Sequence, residues 1–248
     1  AVSEMVAAEA WDSIWSEVEL IVCLTLRTRA DRRTAVTKQF EAHGLLKYVT
    51  FLEQEPDTDD GKRGCFHAHQ RAARLAMERG VPHALIFEDD VEFLPHFTVH
   101  SGKRILRFLR STPQGSWSIF FLGHFPRAME LTDEQDVVRV RSMDAHAYLL
   151  SASGARELCD MQYQGSQVDV QFHYQSSAAF ALYPMVAVQR ATFSDTEGVL
   201  RPTDWNLDKL AREEALYKGC VYRKLNNSVL TILGSRLESS DRCTSMRN

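Results

Sequence analysis

The sequence predicts a single α/β domain with a mostly parallel β-sheet flanked by helices. Segments typical of buried strands alternate with amphipathic helical segments over residues 19–90 of the 248-residue chain. The strand segments are near-continuous apolar runs, as expected for parallel strands that are covered on both faces. Neither an internal repeat nor a change of composition marks a linker, so one domain is expected.

The first half of the chain alternates strands and helices regularly. Apolar runs predict the strands, and apolar residues spaced three and four positions apart predict the helices. The predicted order is a strand over 19–27, a helix over 29–44, a strand over 47–53, a polar loop over 54–64, a helix over 65–80, a strand over 83–90, a helix over 102–112 and a strand over 117–123. The second half is less regular, with β segments over 136–142 and 145–151, a short helix over 153–162 begun by Ser153, and a strand over 182–189 whose Pro184 indicates an edge position.

Composition excludes several classes of protein. The net charge of −4 argues against a nucleic-acid-binding protein, which is normally basic. No apolar run approaches the ~20 residues that a membrane helix needs. The acidic N-terminus lacks the features of a signal peptide, and the cysteines form no CxxC pair, so a cytoplasmic protein is expected. The alternatives are a Cys220–Cys243 bridge and, if a targeting segment has been removed, the secretory pathway.

Three consecutive carboxylates, Glu88, Asp89 and Asp90, follow an apolar run at the end of a predicted strand. Ligands of open parallel sheets bind outside the carboxyl ends of the strands. Clustered carboxylates repel one another unless a cation compensates them, and oxygen ligands suit Mg²⁺ or Mn²⁺. Strand alternation is expected to turn Glu88 and Asp90 to one side and Asp89 to the other. From these residues alone, a cation site and a solvated acidic turn are both open.

The order of several motifs carries a family resemblance. Between Leu20 and Gly198 the motifs are “LTLRTRADRR”, “GCFHAHQRA”, “LIFEDDVEF”, “AHAYLLSASGARELC”, “VDVQFH” and “VQRATFSDTEG”. This order resembles glycosyltransferase family 25, the group of bacterial lipooligosaccharide β-galactosyltransferases and collagen galactosyltransferases. One departure is His67, which stands where the family usually has a serine.

The resemblance implies a GT-A type fold, in which a Rossmann-like sheet binds a UDP-sugar donor, usually UDP-galactose, with Mn²⁺ or Mg²⁺. It implies inverting transfer of a hexose, with galactose expected, to a hydroxyl of a glycan or glycoprotein acceptor. Residues 19–125 would form the nucleotide-binding half and residues 126–248 the acceptor-side half of one domain spanning 1–248. The alternatives are a Mg²⁺-dependent nucleotidyltransferase or phosphohydrolase, and a non-catalytic module that binds sugar nucleotides.

The resemblance also implies roles for individual residues. Asp90 is similar to the metal-ligating aspartate of DxD-type transferases. Asp195 is expected to complete the metal shell or, alternatively, to act as the base. Asp169 is the expected catalytic base, because the family carries an aspartate at this point, and His173 is a weaker candidate. The residues expected at the donor nucleotide are Thr25, Leu26, Arg29, Arg32, Gly64, His69, Glu88 and Asp89.

Physical chemistry supports some of these roles. The forked guanidinium groups of Arg29 and Arg32 suit phosphate, although a solvated helix start is the alternative for both. Gly64 is expected to begin a helix whose amide groups approach the donor. Tyr148 and, less so, Trp205 are candidates for stacking on a sugar, although core or surface packing is the more common role of such residues. Cys65 is expected to be a small buried residue.

Overall fold

Helices and strands alternate through most of the protein. The computed structural model describes the backbone of residues 2–196, 198–202 and 204–244, and the side chains of 7–196, 198–202 and 204–226. The helices are α1 (Val2–Trp15), α2 (Ala30–Ala42), α3 (Gly61–Arg79), α4 (Val99–Ser111), α5 (Ala152–Asp160) and α6 (Trp205–Thr244). The strands are β1 (Ile21–Leu26), β2 (Val49–Gln54), β3 (His83–Glu88), β4 (Val91–Phe93), β5 (Ile119–Leu131), β6 (Val137–Ser151), β7 (Ala179–Leu182), β8 (Ala187–Gln189), β9 (Phe193–Ser194) and β10 (Val199–Leu200).

Six strands form the central sheet in the order β2-β1-β3-β6-β5-β7. Strand β6 is antiparallel to both neighbours, whereas β1 pairs in parallel with β2 and β3, and β5 pairs in parallel with β7. Two further pairs, β4 with β8 and β9 with β10, lie outside this sheet. The predicted mostly parallel sheet is confirmed. The predicted division near residue 125 stays a prediction, and β5 crosses that position without a break.

Helices cover both faces of the sheet because successive strand residues point to opposite sides. Ile21 and Cys23 belong to a core cluster that also contains residues of α1, α2 and α4. Val22 and Leu24 belong to a second cluster with residues of α3, α5 and α6. This three-layer arrangement confirms the predicted single α/β domain with a Rossmann-like sheet flanked by helices. Among the helices that are described, none combines the length and apolar character needed to cross a bilayer.

The third helix begins earlier than predicted. Asp60 caps it, with Oδ1 accepting hydrogen bonds from the amides of Lys62 (3.0 Å) and Arg63 (3.2 Å). The prediction that Gly64 begins the helix is therefore wrong, because Gly64 lies inside its first turns. A Cβ at Gly64 would lie 2.9 Å from the Cβ of Asp57, so the glycine allows the preceding loop to pack closely on the helix.

Three predicted boundaries in the second half also change. The segments 136–142 and 145–151 form the single strand β6, in which Asp144 has a φ of 71°. The cap of α5 is Ser151 rather than Ser153, since its Oγ accepts from the amide of Gly154 (3.1 Å). The segment 182–189 divides into the end of β7 and β8, which pair with different strands. The alternative Cys220–Cys243 bridge lies partly outside the described residues, because the side chain of residue 243 is not among them.

The N-terminal segment forms a helix that the sequence analysis did not predict. Trp11 and Trp15 of α1 are buried and stack with ring centroids 5.4 Å apart. The indole N–H of Trp15 donates to the carbonyl of His43 (2.8 Å), which ties α1 to the end of α2. Burial of these two rings makes α1 part of the core on one face of the sheet.

Strands β5 and β8 pack closely at Gly123. A Cβ there would lie 2.2 Å from the carbonyl oxygen of Ala187 and 2.3 Å from Nε2 of His146. We expect Gly123→Ala to lower the free energy of unfolding by about 1–3 kcal/mol or more, because a packed interior has no room for the methyl group. Chemical denaturation measures the change.

The matched control is Gly219→Ala in α6, where the nearest atom to the new Cβ is Nη1 of Arg223 at 3.7 Å. Alanine favours a helix over glycine by about 1 kcal/mol, so this variant should be as stable as wild type or slightly more stable. Wild-type stability in Gly123→Ala would contradict the close approach.

Candidate active site

The carboxyl ends of β1, β2 and β3 open into a cleft of about 740 Å³, here called the first cleft. The lining includes Thr25 and Leu26 at the end of β1, Gln54 at the end of β2, Glu88 at the end of β3 and the two aspartates that follow it. The predicted site residues that line it are Thr25, Leu26, Arg32, Gly64, His69, Glu88, Asp89, Asp90 and Asp195. Residues from four separate motifs therefore meet at the predicted edge of the sheet.

A second cleft of about 730 Å³ adjoins the first. Its lining includes Asp169, the predicted base, together with Phe125 and Trp205, whose rings stack with centroids 5.9 Å apart. The residues that line both clefts are Cys65, Glu88, Gln189, Thr196 and Arg201. The two clefts thus share a wall, with Asp90 on one side and Asp169 on the other.

The three carboxylates lie where the strand gives way to a turn. Strand β3 ends at Glu88, so Asp89 and Asp90 do not continue its alternation. The expectation that Asp89 points away from its neighbours is wrong, because all three line the first cleft. Asp89 accepts hydrogen bonds from Thr25 Oγ1 (2.8 Å) and Arg32 Nη1 (3.1 Å). These two contacts hold it against the ends of β1 and α2.

Asp90 is the least satisfied of the three carboxylates. Its Oδ2 lies 3.6 Å from Arg32 Nη1, and its buried Oδ1 has no hydrogen-bond partner within the described part of the chain. Burial, reinforced by the charge of Glu88, raises the pKa of Asp90 to about 6. Burial also raises the pKa of Glu88 to about 7. An unpartnered oxygen among buried carboxylates fits an oxygen-preferring divalent cation such as Mn²⁺ or Mg²⁺.

His69 connects Glu88 to the interior. Its Nε2 lies 3.0 Å from Glu88 Oε1, and its Nδ1 lies 2.8 Å from the hydroxyl of Tyr148. Burial lowers the pKa of His69 to about 4, so the ring is neutral at pH 7. The ring therefore orients Glu88. Of the two interpretations of Tyr148, core packing is confirmed and stacking on a sugar is not, because its side chain is fully buried beneath the cleft.

Arg29 and Asp195 form an ion pair at the cleft rim. Arg29 is absent from the residues that line either cleft, and its guanidinium binds both Asp31 and Asp195. Asp195 also lies 3.7 Å from Nη2 of Arg32. In this conformation the Asp195 carboxylate is engaged by two arginines, and its role as a metal ligand stays a prediction.

Asp169 begins a π-helical turn, Asp169–His173, at the second cleft. Its Oδ2 accepts a hydrogen bond from the amide of Asp144 (3.2 Å), while its buried Oδ1 has no partner among the residues described. Burial, with the nearby charge of Asp144, raises the pKa of Asp169 to about 6. His173 is fully buried and its Nδ1 lies 3.1 Å from the carbonyl of Asp144, so it supports the turn.

The support beneath Asp169 was not predicted. Lys209 of α6 is fully buried, forms an ion pair with Asp144 and donates to Gln189 Oε1 (3.1 Å). Asp144 holds Asp169 through its amide, so α6 contributes to the second cleft. The gap between the two predicted β segments at 143–144 was a signal for an irregular residue. Burial of Lys209 had no such signal in the sequence, because a lysine is an ordinary residue of an amphipathic helix.

No protein-family model matches the chain. A segment of 113 residues is 30% identical to the probable inactive glycosyltransferase 25 family member 3 of Rattus norvegicus. The match covers 41% of this chain and 18% of that relative's length. This local similarity supports the resemblance to glycosyltransferase family 25 that the order of motifs indicated.

Two solved structures are also similar. A UDP-glucose pyrophosphorylase complexed with UDP-glucose is 11% identical, with 86% of each chain covered and a TM-score of 0.45. A glycosyltransferase involved in glycosylation of the major capsid of PBCV-1 is 11% identical, with 56% of this chain and 63% of that chain covered and a TM-score of 0.34. Similarities of this size leave the reaction open.

Replacing Lys209 tests the support of the second cleft. We expect Lys209→Met to lower the free energy of unfolding by about 3–5 kcal/mol, because Asp144 would keep a buried charge without its partner. Chemical denaturation measures the loss. Lys218→Met is the matched control in the same helix, since Lys218 pairs with Glu214 on the surface at 72% and 59% exposure. The control should change stability by about 0.5 kcal/mol or less. Equal effects of the two variants would contradict a structural role for the buried pair.

Proposed function

We propose that this protein is a metal-dependent glycosyltransferase that moves a hexose from a UDP-sugar to a hydroxyl group, with inversion. The carrying observation is the pair of adjoining clefts. The first presents buried carboxylates at the ends of parallel strands, and the second presents a buried carboxylate with one unpartnered oxygen. A donor site and an acceptor site that share a wall are what a direct transfer between two substrates requires.

The first cleft supports the donor side of the proposal. Asp90 would hold the cation through its unpartnered Oδ1, with Glu88 close by and Asp89 fixed by Thr25 and Arg32. When bound, Mn²⁺ or Mg²⁺ would supply positive charge that offsets the charge of the departing nucleoside diphosphate. The nucleotide would lie along the ends of β1 and β2, where ligands of open α/β sheets bind.

The second cleft supports the acceptor side. The acceptor oxygen attacks the anomeric carbon, and the bond from that carbon to the phosphate oxygen breaks with its electron pair leaving on UDP. The hydroxyl proton would pass to the carboxylate of Asp169, which lines this cleft. A base must be ionised to accept this proton and works best when its pKa lies near the operating pH, a condition that the raised pKa of Asp169 approaches. Inversion requires the base to act from the face opposite the leaving group, and placement of Asp169 across the shared wall is compatible with this requirement.

The finer parts of the proposal rest on the family resemblance. Galactose as the sugar, Mn²⁺ as the ion and a glycan or glycoprotein as the acceptor are expected from the motif order. A second candidate function is a non-catalytic module that binds sugar nucleotides, because the matched rat protein is named as a probable inactive member. The nucleotidyltransferase alternative differs in its product, since it would release pyrophosphate rather than UDP.

The first test compares metal-dependent activities. We expect UDP release from UDP-galactose with an acceptor mixture and Mn²⁺, and its loss with EDTA. Asp90→Asn should lose metal-dependent UDP binding because it removes the charge that attracts the cation, while its circular dichroism spectrum is preserved. Asp133→Asn, at an exposed position, is the matched control and should keep wild-type activity. Pyrophosphate release in a parallel assay with UTP and galactose 1-phosphate would favour the nucleotidyltransferase. Binding of UDP-galactose without turnover would favour the non-catalytic module.

The second test concerns the base. Burial holds the pKa of Asp169 at about 6, above its usual 3.8, and only the ionised form accepts a proton. With saturating Mn²⁺, kcat/KM should therefore rise as pH increases through about 6. Asp169→Asn should lower kcat by roughly 10²–10⁴-fold and remove this inflection, while the affinity for UDP-sugar changes little. An unchanged pH profile in Asp169→Asn would assign the base to another residue, such as Asp195.

A further inference from the structure

We propose that Cys65, His69 and Glu88 form a second cation site, selective for Zn²⁺, in the wall that the two clefts share. Sγ of Cys65, a ring nitrogen of His69 and a carboxylate oxygen of Glu88 all lie within 4.8 Å of one another. Bond lengths of ~2.0–2.3 Å in a tetrahedral zinc site place ligand atoms roughly 3.3–3.8 Å apart. Side-chain movements of about 1 Å would therefore close the three atoms around an ion.

The local structure explains why these side chains converge. Cys65 and His69 are four residues apart on α3, so they project from the same face of the helix. Glu88 ends β3 and approaches that face, with His69 Nε2 3.0 Å from its Oε1. The expectation that Cys65 is a small buried residue is confirmed only in part, because Cys65 packs against the core but is half-buried and lines both clefts.

A second contact prepares His69 to bind a metal. Its Nδ1 lies 2.8 Å from the hydroxyl of the fully buried Tyr148. When Nε2 binds the ion, Nδ1–H donates to this hydroxyl, which fixes both the tautomer and the ring orientation. Metal-binding histidines usually have such an outer partner. Tyr148 is therefore the positioning residue of the proposed site.

The ligand types determine which ion the site prefers. One thiolate, one imidazole and one carboxylate suit Zn²⁺, whereas Mg²⁺ and Mn²⁺ favour oxygen ligands alone. Burial raises the pKa of the Cys65 thiol, so a bound ion would displace its proton. The resulting thiolate and the Glu88 carboxylate would then balance the charge of a divalent ion. Three protein ligands leave the fourth position for water or a ligand in the clefts. The site uses Glu88, which also lies beside the proposed oxygen site, but it does not use Asp90, and its existence does not depend on the transferase proposal.

Metal titration of the whole chain tests the site. After treatment with a chelator, the protein should bind one equivalent of Zn²⁺ in competition with a chromophoric indicator. Co²⁺ in its place should give tetrahedral visible bands and a near-ultraviolet sulfur-to-cobalt charge-transfer band. Cys65→Ser should abolish the charge-transfer band and weaken Zn²⁺ binding more than 100-fold. Tyr148→Phe should weaken it by roughly 10–100-fold, as for other outer partners of metal-binding histidines.

Two control variants make the assignment specific. Cys159→Ser removes another half-buried cysteine and should keep the charge-transfer band and the Zn²⁺ affinity. Asp90→Asn should also keep Zn²⁺ binding, which separates this site from the proposed donor site. If the protein binds Zn²⁺ but has no transferase activity, the proposed function is overturned and the zinc site is not.

Three results would overturn the zinc site. They are absence of stoichiometric Zn²⁺ binding in the wild type, unchanged binding in Cys65→Ser, and loss of binding in Cys159→Ser. If Cys65→Ser fails to fold, alkylation of the wild type decides the matter. Zn²⁺ should then protect Cys65, located by mass spectrometry, from iodoacetamide, and equal labelling with and without Zn²⁺ would refute the assignment.

Discussion

The proposed chemistry of both clefts depends on three carboxylates at the end of one strand, of which Asp89 and Asp90 are buried and Glu88 is half-buried. All three line the first cleft, and Arg32 and Thr25 satisfy mainly Asp89. The remaining charge is left to be balanced by protonation or by a bound cation. Such an arrangement costs stability in the free protein, and proteins keep strained or unsatisfied groups chiefly where a ligand acts. The carboxylates are therefore the centre of the proposed chemistry.

The sheet brings residues distant in sequence to these charges. Strand β6, antiparallel to its neighbours, carries Asp144 toward the second cleft and places Tyr148 beneath the first. Helix α6 packs against β5 and pairs its buried Lys209 with Asp144. Residues of β6 therefore support both clefts. Lys209 is linked to Asp169 through this ion pair and the hydrogen bond from the amide of Asp144.

The sequence predicted the parts of the site that depend on local pattern. Apolar runs identified β1, β2 and β3, and the rule for strand ends placed the carboxylates at a ligand-binding edge. The start of α3 was missed because the cap, Asp60, lies within a polar segment that resembles a loop. The Lys209–Asp144 pair was missed because its members are 65 residues apart and neither stands in a recognisable motif. Arg29 was expected at the nucleotide, but its guanidinium is engaged by Asp31 and Asp195. Long-range ion pairing of this kind is determined by the fold.

The guanidinium of Arg32 serves two structures at once. One nitrogen donates to Asp89, and the other donates to the carbonyl of Phe193 (2.6 Å) in the β9–β10 hairpin that borders the first cleft. A single cation thus fastens the hairpin to the carboxylates. A ligand that changes the charge of the carboxylates therefore also changes the free energy with which the hairpin docks. Docking of the hairpin in turn changes the free energy of binding that ligand by the same amount. Thermodynamic linkage through Arg32 therefore couples cation binding at the carboxylates to the docking of the hairpin, whichever of the two comes first.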